Sequence, residues 1–312
     1  LTSPAASLVT LARRALAEAE IARGATILVA VSGGPDSMAL LDVLARLAPR
    51  VGFALFAHGV DHGLRPAAEA ELDLAAAFAA ARDVPFSRTR VAIARGGNLQ
   101  SRARAARYEA LARAAAHLQA SAIATAHHAD DRAETVLMRL MRGSGPRGLA
   151  VLPVRGPLPE ELAADVSPRP SLVRPFVRAR RRAVLAHLER HGIAWATDPS
   201  NEDPRFLRAR VRREVLPLLE GLAPGVVDHL CALADQLSDR SDGAAFPFTL
   251  PRATHDALAE LARSRSTSAR VWLPNGLVVT LDPRARPGPR PPPEPRRRRE
   301  PRCAPGSTGN DG

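Results

Sequence analysis

Four strand-length segments, each followed by a stretch of helical periodicity, govern what the first half of this chain can fold into. They are the apolar run Ala25–Ala30 and the strand candidates Val51–Ala57, Phe86–Ile93 and Ala122–Ala126. Helical patterning follows each of them, over Met38–Leu47, Pro66–Arg82, Ser101–Leu118 and Asp130–Met141. A helix between successive strands carries the chain back across the sheet, so the strands run parallel and the helices cover both faces. The predicted class is therefore α/β, a Rossmann-like parallel sheet. An amphipathic helix is expected within Leu1–Ile21, with Leu8, Leu11, Ala12 and Leu16 on one stripe; its charges and lack of a cleavable apolar run argue against a signal peptide.

The texture changes beyond Pro153. Residues 157–170 read as a loop, Arg178–His191 as a basic helix, and Phe206–Leu219 as a further helix. Val271–Leu281 predicts a small hairpin through Asn275-Gly276. The expected layout is an α/β domain over 1–216, with a basic portion at 169–216, and a small, mostly helical second domain over 217–282. A Pro/Arg-rich tail at 283–312 is expected to be disordered. There is no internal repeat.

Chemistry concentrates at two strand–helix junctions. At the first, Ser32-Gly33-Gly34-Pro35-Asp36-Ser37 follows a strand and opens a helix. Two glycines let backbone N–H groups close around an anion, and the helix N-terminus adds a favourable partial charge. Ser32 and Ser37 add hydroxyl donors. Asp36 would repel a phosphate directly, but it suits a Mg²⁺ ion bridging phosphates. An ordinary strand–helix turn uses the same residue types, so the loop alone does not decide the matter. A Walker A loop is excluded, because the GK[ST] spacing is absent and the chain contains no lysine.

The second junction is Ala124–Thr135, ATAHHADDRAET. Asp131 and Glu134 stand three apart on the helix and share a face, so the pair can take Mg²⁺ or a cationic amine. Capping by Asp130 and Asp131, with His127 and His128 as packing, is the plainer alternative. A metallohydrolase is a third, but adjacent His-His and Asp-Asp pairs define no coordination geometry.

Charge bears on the partner. All 44 basic residues are arginine and the net charge is +12, which suits a polyanion, although arginine-rich composition alone can produce it. Residues 169–213 hold twelve arginines against four acids, the better candidate for a phosphate-binding surface. Aromatic residues make up only 4%, which disfavours a base-stacking platform. The two cysteines, Cys231 and Cys303, form no CxxC pair, disulfide framework or zinc knuckle. With no run of 18 apolar residues, no membrane span is expected, and the expected location is cytoplasmic.

Taken together these segments resemble the tRNA(Ile)-lysidine synthetases, within the PP-loop or N-type ATP pyrophosphatase superfamily. The similarity rests on VSGGPDS at 31–37, VDHGLR at 60–65, GNLQSRARAARY at 97–108, ATAHHADDRAETVLMRLMRGSG at 124–145 and DPSNEDPRFLRARVRREVLP at 198–217. Weaker similarity continues to about residue 280. The loop at 32–37 would mark only a superfamily; the last two motifs are far more specific. The family's H-V-D-H pattern appears here with one additional residue, as His58-Gly59-Val60-Asp61-His62.

The resemblance implies an ATP-dependent ligase. The wobble cytidine of the CAU anticodon of an isoleucine tRNA is adenylated at its C2 oxygen, and free lysine then displaces AMP. Codon specificity changes from AUG to AUA. It also implies that Ser32, Gly33, Gly34, Pro35, Asp36 and Ser37 bind ATP, with Asp36 near Mg²⁺. Asp131 and Glu134 would grasp the lysine amine, and Arg107 or Arg104, with Arg142, would stabilise the α-phosphate. Asp61, His62, Arg65, His127 and His128 are expected to line the same cleft. Arg205, Arg208, Arg210, Arg212 and Arg213 are the tRNA-contact candidates, against the alternative of a solvated helix face. The family is often homodimeric, though nothing in the sequence marks an interface.

Three other readings compete. A PP-loop tRNA thiolase needs cysteines that Cys231 and Cys303 do not supply. A non-catalytic RNA-binding protein on the same fold has no need of Asp36, Asp131 and Glu134 together. A small-molecule amidotransferase-type synthetase shares the ATP chemistry but not the need for an arginine block.

Overall fold

Ser7 caps the first helix, α1 (Leu8–Glu18), by accepting from the backbone N–H of Thr10 at 3.2 Å. The chain then enters β1 (Thr26–Val31), the hydrophobic strand from which the sheet grows outward in both directions. Helix α2 (Pro35–Val51) begins with Pro at its first turn and ends at Gly52, whose φ of 88° gives the left-handed cap. There follow β2 (Ala54–Asp61), α3 (Ala67–Ala80), β3 (Phe86–Arg90), α4 (Leu99–His117), β4 (Ala122–Ala124) and α5 (Ala129–Met141). The rest comprises α6 (Pro146–Leu149), β5 (Arg155–Gly156), β6 (Ser171–Val173), α7 (Arg181–Arg190), α8 (Leu207–Arg210), α9 (Leu216–Leu222), α10 (Val226–Arg240), β7 (Arg270–Trp272) and β8 (Val278–Thr280). This computed structural model describes residues 6–63, 67–93, 99–163, 166–197, 205–240, 270–272 and 278–280. Arg65, residues 198–204, the Asn275-Gly276 turn and the 283–312 tail lie outside them.

The sheet order is β3-β2-β1-β4-β6-β5. Every pair is parallel except β5 with β6, so the expectation of a parallel sheet holds apart from one antiparallel edge strand. Alternation along β1 serves both faces. Ile27, Val29 and Val31 point into a core shared with α1, α2 and α7, and Leu28 into one shared with α4. Helix α2 buries Met38, Leu40, Leu41, Val43, Leu44 and Leu47, each contributing roughly 1.5–3 kcal/mol of transfer free energy. The chain reverses its direction across the sheet between β1 and β4, so their C-terminal ends open the crevice where α/β sheets bind ligands.

By contacts the chain divides into Leu1–Phe248 and Thr249–Gly312. Helices α9 and α10 thus fall with the first unit, apart from the segment 217–282 with which they were grouped on sequence. The reason is a small core in which Ala129, Ala133 and Leu137 of α5 meet Leu216, Val227 and Cys231. In the second unit the described residues form the antiparallel pair β7–β8, in register Arg270↔Thr280, which agrees with the hairpin strands expected there.

A buried arginine fastens α10 to α5. Arg132 is 0% exposed; its Nε donates to the carbonyl of Val151 at 2.9 Å and its Nη1 to Asp235 at 2.7 Å. Asp235 also receives Arg178, which joins Glu18 of α1. Removing one member of a buried pair costs about 3–5 kcal/mol, and Asp235, partly exposed, belongs at the lower end. Asp235→Ala should therefore destabilise the protein by about 3 kcal/mol in chemical denaturation. The Asp235→Ala/Arg132→Met double variant should recover part of that loss, because the stranded charge is gone. A double variant less stable than Asp235→Ala alone would contradict this account.

Candidate functional site

The loop after β1 is fixed from two sides. Gly33 has φ +77°, and a Cβ placed there would lie 2.4 Å from the carbonyl oxygen of Glu71 on α3. Its own carbonyl accepts the N–H of Ala196 at 2.9 Å. Ser37 Oγ donates to the carbonyl of Gly34 at 2.9 Å and accepts the N–H of Ser32 at 3.2 Å, closing the turn over the start of α2. Asp36 stands in the first turn of that helix.

Helix α5 starts with a capping box built on a histidine. Nδ1 of His128 accepts the N–H of Asp131 at 3.2 Å, and Asp131 Oδ2 accepts the N–H of His128 at 3.1 Å. An Nδ1 that accepts carries no proton, so in the neutral ring the proton sits on Nε2. That atom lies 3.4 Å from Asp131 Oδ2 and 3.7 Å from Asp36 Oδ1. His128 thus stands between the loop carboxylate and the α5 carboxylate. Asp130 does something else: its Oδ2 accepts the N–H of Arg181 at 2.7 Å, fixing the start of α7.

Asp131 and Glu134 do share a face, as expected, and they hold two arginines. Arg208 Nε donates to Glu134 at 2.7 Å and its Nη2 to Asp131 at 2.9 Å. Arg212 Nε donates to Glu134 at 2.6 Å and its Nη2 to Asp131 at 3.1 Å. Their spacing of four positions, across the start of the π-helical segment Val211–Val215, aims both guanidiniums at one carboxylate pair. Both arginines, expected on sequence to contact tRNA, are therefore engaged with the site's own acids. Arg210 pairs with Glu214 on the exposed face, and Arg205 and Arg213 are exposed.

The electrostatics follow. Burial alone would raise the Asp131 carboxyl, but His128, Arg208 and His127 outweigh it and hold it at about 2. Burial raises the Asp36 carboxyl above its usual range; His128 opposes this and Asp131 reinforces it. Burial drives His127 down to about 3, with Arg174, Arg104 and Arg107 adding to the effect, so it is a neutral imidazole, hydrogen-bonded to Thr125 Oγ1 at 3.0 Å. At the end of β2, Asp61 accepts the N–H of Gly63 at 2.8 Å. His62 is pushed down by burial and by Arg107, so it belongs to the same neighbourhood.

Arg142 is not brought to this site. It caps the far end of α5, eleven residues beyond Asp131 and about 16 Å along the helix axis. Arg174, which sequence reasoning missed, lies just beyond β6 beside Arg104 and Tyr108.

The residues present fit a nucleotide phosphate and its cation. Gly33 provides a cradle that a side chain would fill, and Asp36 Oδ1 is buried without a hydrogen-bond partner among the described residues. Those residues contain no cluster of three or more metal-ligating side chains. A Mg²⁺ carried on phosphates needs only one or two carboxylates. Cys231 is buried, its thiol is pushed up to about 11 by burial, and it donates to the carbonyl of Ala129 at 3.3 Å. It is an inert packing residue.

Comparison with known proteins agrees with this geometry. Residues 8–219 match a family described as the PP-loop domain. The chain is 42% identical over 237 residues to a tRNA(Ile)-lysidine synthase of Salinispora arenicola, covering 75% of this chain and 68% of the relative. It is 45% identical over 213 residues to a protein of the same name in Rhodopseudomonas palustris, covering 67% and 58%. Among solved structures, the U34-tRNA thiolase NcsA of Methanococcus maripaludis aligns with a TM-score of 0.61 at 17% identity, over 79% of this chain and 84% of that one. That likeness concerns the fold.

Proposed function

The chain belongs to the PP-loop family of tRNA(Ile)-lysidine synthases, and on that premise we propose that it uses ATP to join free lysine to a CAU-anticodon isoleucine tRNA. The bond formed is from the lysine side-chain nitrogen to C2 of the wobble cytidine. The observation that carries this is the meeting of Asp36, His128, Asp131 and Glu134 at the ends of β1 and β4, beside a loop shaped for phosphate.

Chemistry requires two steps. The C2 oxygen of cytidine attacks the α-phosphate of ATP, and pyrophosphate leaves. The lysine amine, having lost a proton, then attacks C2, and the carbon–oxygen bond breaks with AMP carrying the oxygen away. Activation is the point: a carbonyl oxygen leaves poorly and AMP leaves well.

Ser32, Gly33, Gly34 and Ser37 would hold the pyrophosphate end through backbone N–H groups and hydroxyls at the start of α2. Asp36 would hold Mg²⁺, which would supply neutralising charge for the departing phosphates. His128 stands between the Asp36 and Asp131 carboxylates. Asp131 and Glu134 would receive the lysine ammonium, with Asp131 as a fixed negative charge and Glu134 as the group that takes the proton as the amine attacks. Their oxygens are bonded to Arg208 and Arg212, so the amine has to take the place of at least one guanidinium.

Incubation with ATP, Mg²⁺, radiolabelled lysine and either isoleucine tRNA(CAU) or methionine tRNA tests the reading. Label is expected in the isoleucine tRNA alone, and Asp36→Ala should abolish it. Label in neither tRNA, with ATP still cleaved to AMP and pyrophosphate, would keep the PP-loop chemistry and remove lysidine formation.

A further inference from the structure

Three arginines meet beside the site with no carboxylate among the described residues to pair with. Arg174 follows β6 and is 6% exposed; its Nη1 donates to the carbonyl of Pro153 at 2.8 Å. Among the described residues its Nε has no hydrogen-bond partner and no acid forms an ion pair with it. From α4, Arg104 and Arg107 place their guanidinium carbons 5.1 and 5.5 Å from the ring centre of Tyr108, a buried residue. Neither has an acidic partner among the described residues. Both act with Arg174 on His127, and the N–H of Thr125 donates to the carbonyl of Val173, which ties this corner to the end of β4.

An ionised guanidinium withdrawn from water without an anion is a costly arrangement. This fold avoids it at Arg132, which is buried deeper and pairs with Asp235. At Arg174 no described residue does the same. The corner lies on the α4 face of the sheet, across the crevice from α2 and its phosphate loop. Two phosphate-binding groups on opposite walls suit a reaction in which pyrophosphate parts from a second phosphorylated group.

We propose that Arg174, with Arg104 and Arg107, forms a second phosphate cradle in which Arg174 supplies the buried charge. This rests on the PP-loop reading for the source of the phosphate. That source is either the phosphate of AMP or one flanking the target cytidine in tRNA.

The test is calorimetric titration of the full chain, and of its Arg174→Met and Arg174→Lys variants, with AMP, cytidine 3′,5′-bisphosphate and pyrophosphate. Arg174→Met should weaken one of the two nucleotides by about ten- to a hundredfold, the range for losing a charge-assisted hydrogen bond. Arg174→Lys should restore part of the affinity. Pyrophosphate, held by residues 32–37, should bind unchanged, and ligand-free Arg174→Met should melt no lower than the wild type. A loss confined to AMP assigns the cradle to the adenylate, and one confined to the bisphosphate assigns it to tRNA. Unchanged affinity for both nucleotides overturns the proposal. So does a lowered melting temperature with pyrophosphate weakened in parallel, which would make Arg174 a structural brace. If Arg174→Met does not fold, Arg107→Met carries the same comparison. Failure of the lysidine reading shows separately, as absent transfer of lysine label.

Discussion

Gly33→Ala is expected to lower ATP-dependent activity by more than about a hundredfold, whereas Gly34→Ala should leave the fold and most activity in place. The two glycines are neighbours, and only the geometry separates them. Gly33 sits at φ +77°, where an L side chain costs about 1–2 kcal/mol. Its Cβ would also meet backbone, the Glu71 carbonyl at 2.4 Å, so the clash cannot be relieved by turning a side chain. Either α3 or the loop has to shift, and a displacement of about 1 Å in a group that positions substrate is enough for a hundredfold loss. Gly34 has φ −74°, and its nearest contact from a new Cβ would be Ser32 Oγ at 3.7 Å, an ordinary distance. Thermal melts should show Gly33→Ala destabilised by about 2 kcal/mol or more and Gly34→Ala nearly unchanged. Equal behaviour of the two variants would mean that the cradle is not set by the approach of α3.

This contrast shows where sequence reasoning stops. The glycine pair was legible as an anion turn, but the carbonyl that makes one glycine indispensable comes from a helix 38 positions away. Strands β1, β2 and β4 were legible as largely apolar segments bounded by turn residues, and the polar β3 from its place between two helical stretches. Strands β5 and β6 were not, because two and three residues beside a proline-rich loop give no periodicity to read. The same distinction governs the site. Asp131 and Glu134 declare their common face by spacing alone. Arg208 and Arg212 also share a face, but their acidic partners lie more than seventy positions earlier, so they passed for surface cations. Arg174 carried no signal at all, being one arginine in a block of twelve, and only its place after β6 sets it apart. Arg142 is the opposite case: counting along α5 already puts it three turns beyond Asp131.

His128 does two jobs at once. Capping by Asp130 and Asp131 was the plainer alternative for this junction, yet the imidazole takes the cap position, Asp131 closes the capping box from within the helix, and Asp130 fixes the start of α7. Asp131 then answers to three groups at once, namely the histidine cap, the loop carboxylate through it, and the arginine pair. A capping interaction is here part of how the two carboxylates are held at a workable separation.

The sharpest test of the proposed division of labour is Glu134→Gln. Glu134 is 0% exposed and both its oxygens are bonded to arginine, so the amide fits the space but brings no charge and offers a donor where the site needs an acceptor. If the carboxylate receives the lysine amine, transfer of lysine should fall by about 10²–10⁴, the usual contribution of a positioned acid or base. Adenylation should survive, because residues 32–37 and Asp36 are untouched; ATP–pyrophosphate exchange in the presence of isoleucine tRNA reads that step by itself. Some stability should also go, since Arg208 and Arg212 lose a partner. Both guanidiniums reach solvent, which screens them, so the loss should be about 1–2 kcal/mol. A purely structural role gives a different pattern: the α8–α9 segment loosens, and exchange and transfer decline together. Exchange that persists while transfer vanishes would place Glu134 on the amine. A parallel decline of both would instead make the carboxylate pair the anchor of two arginines, and lysine would have to be received elsewhere in the crevice.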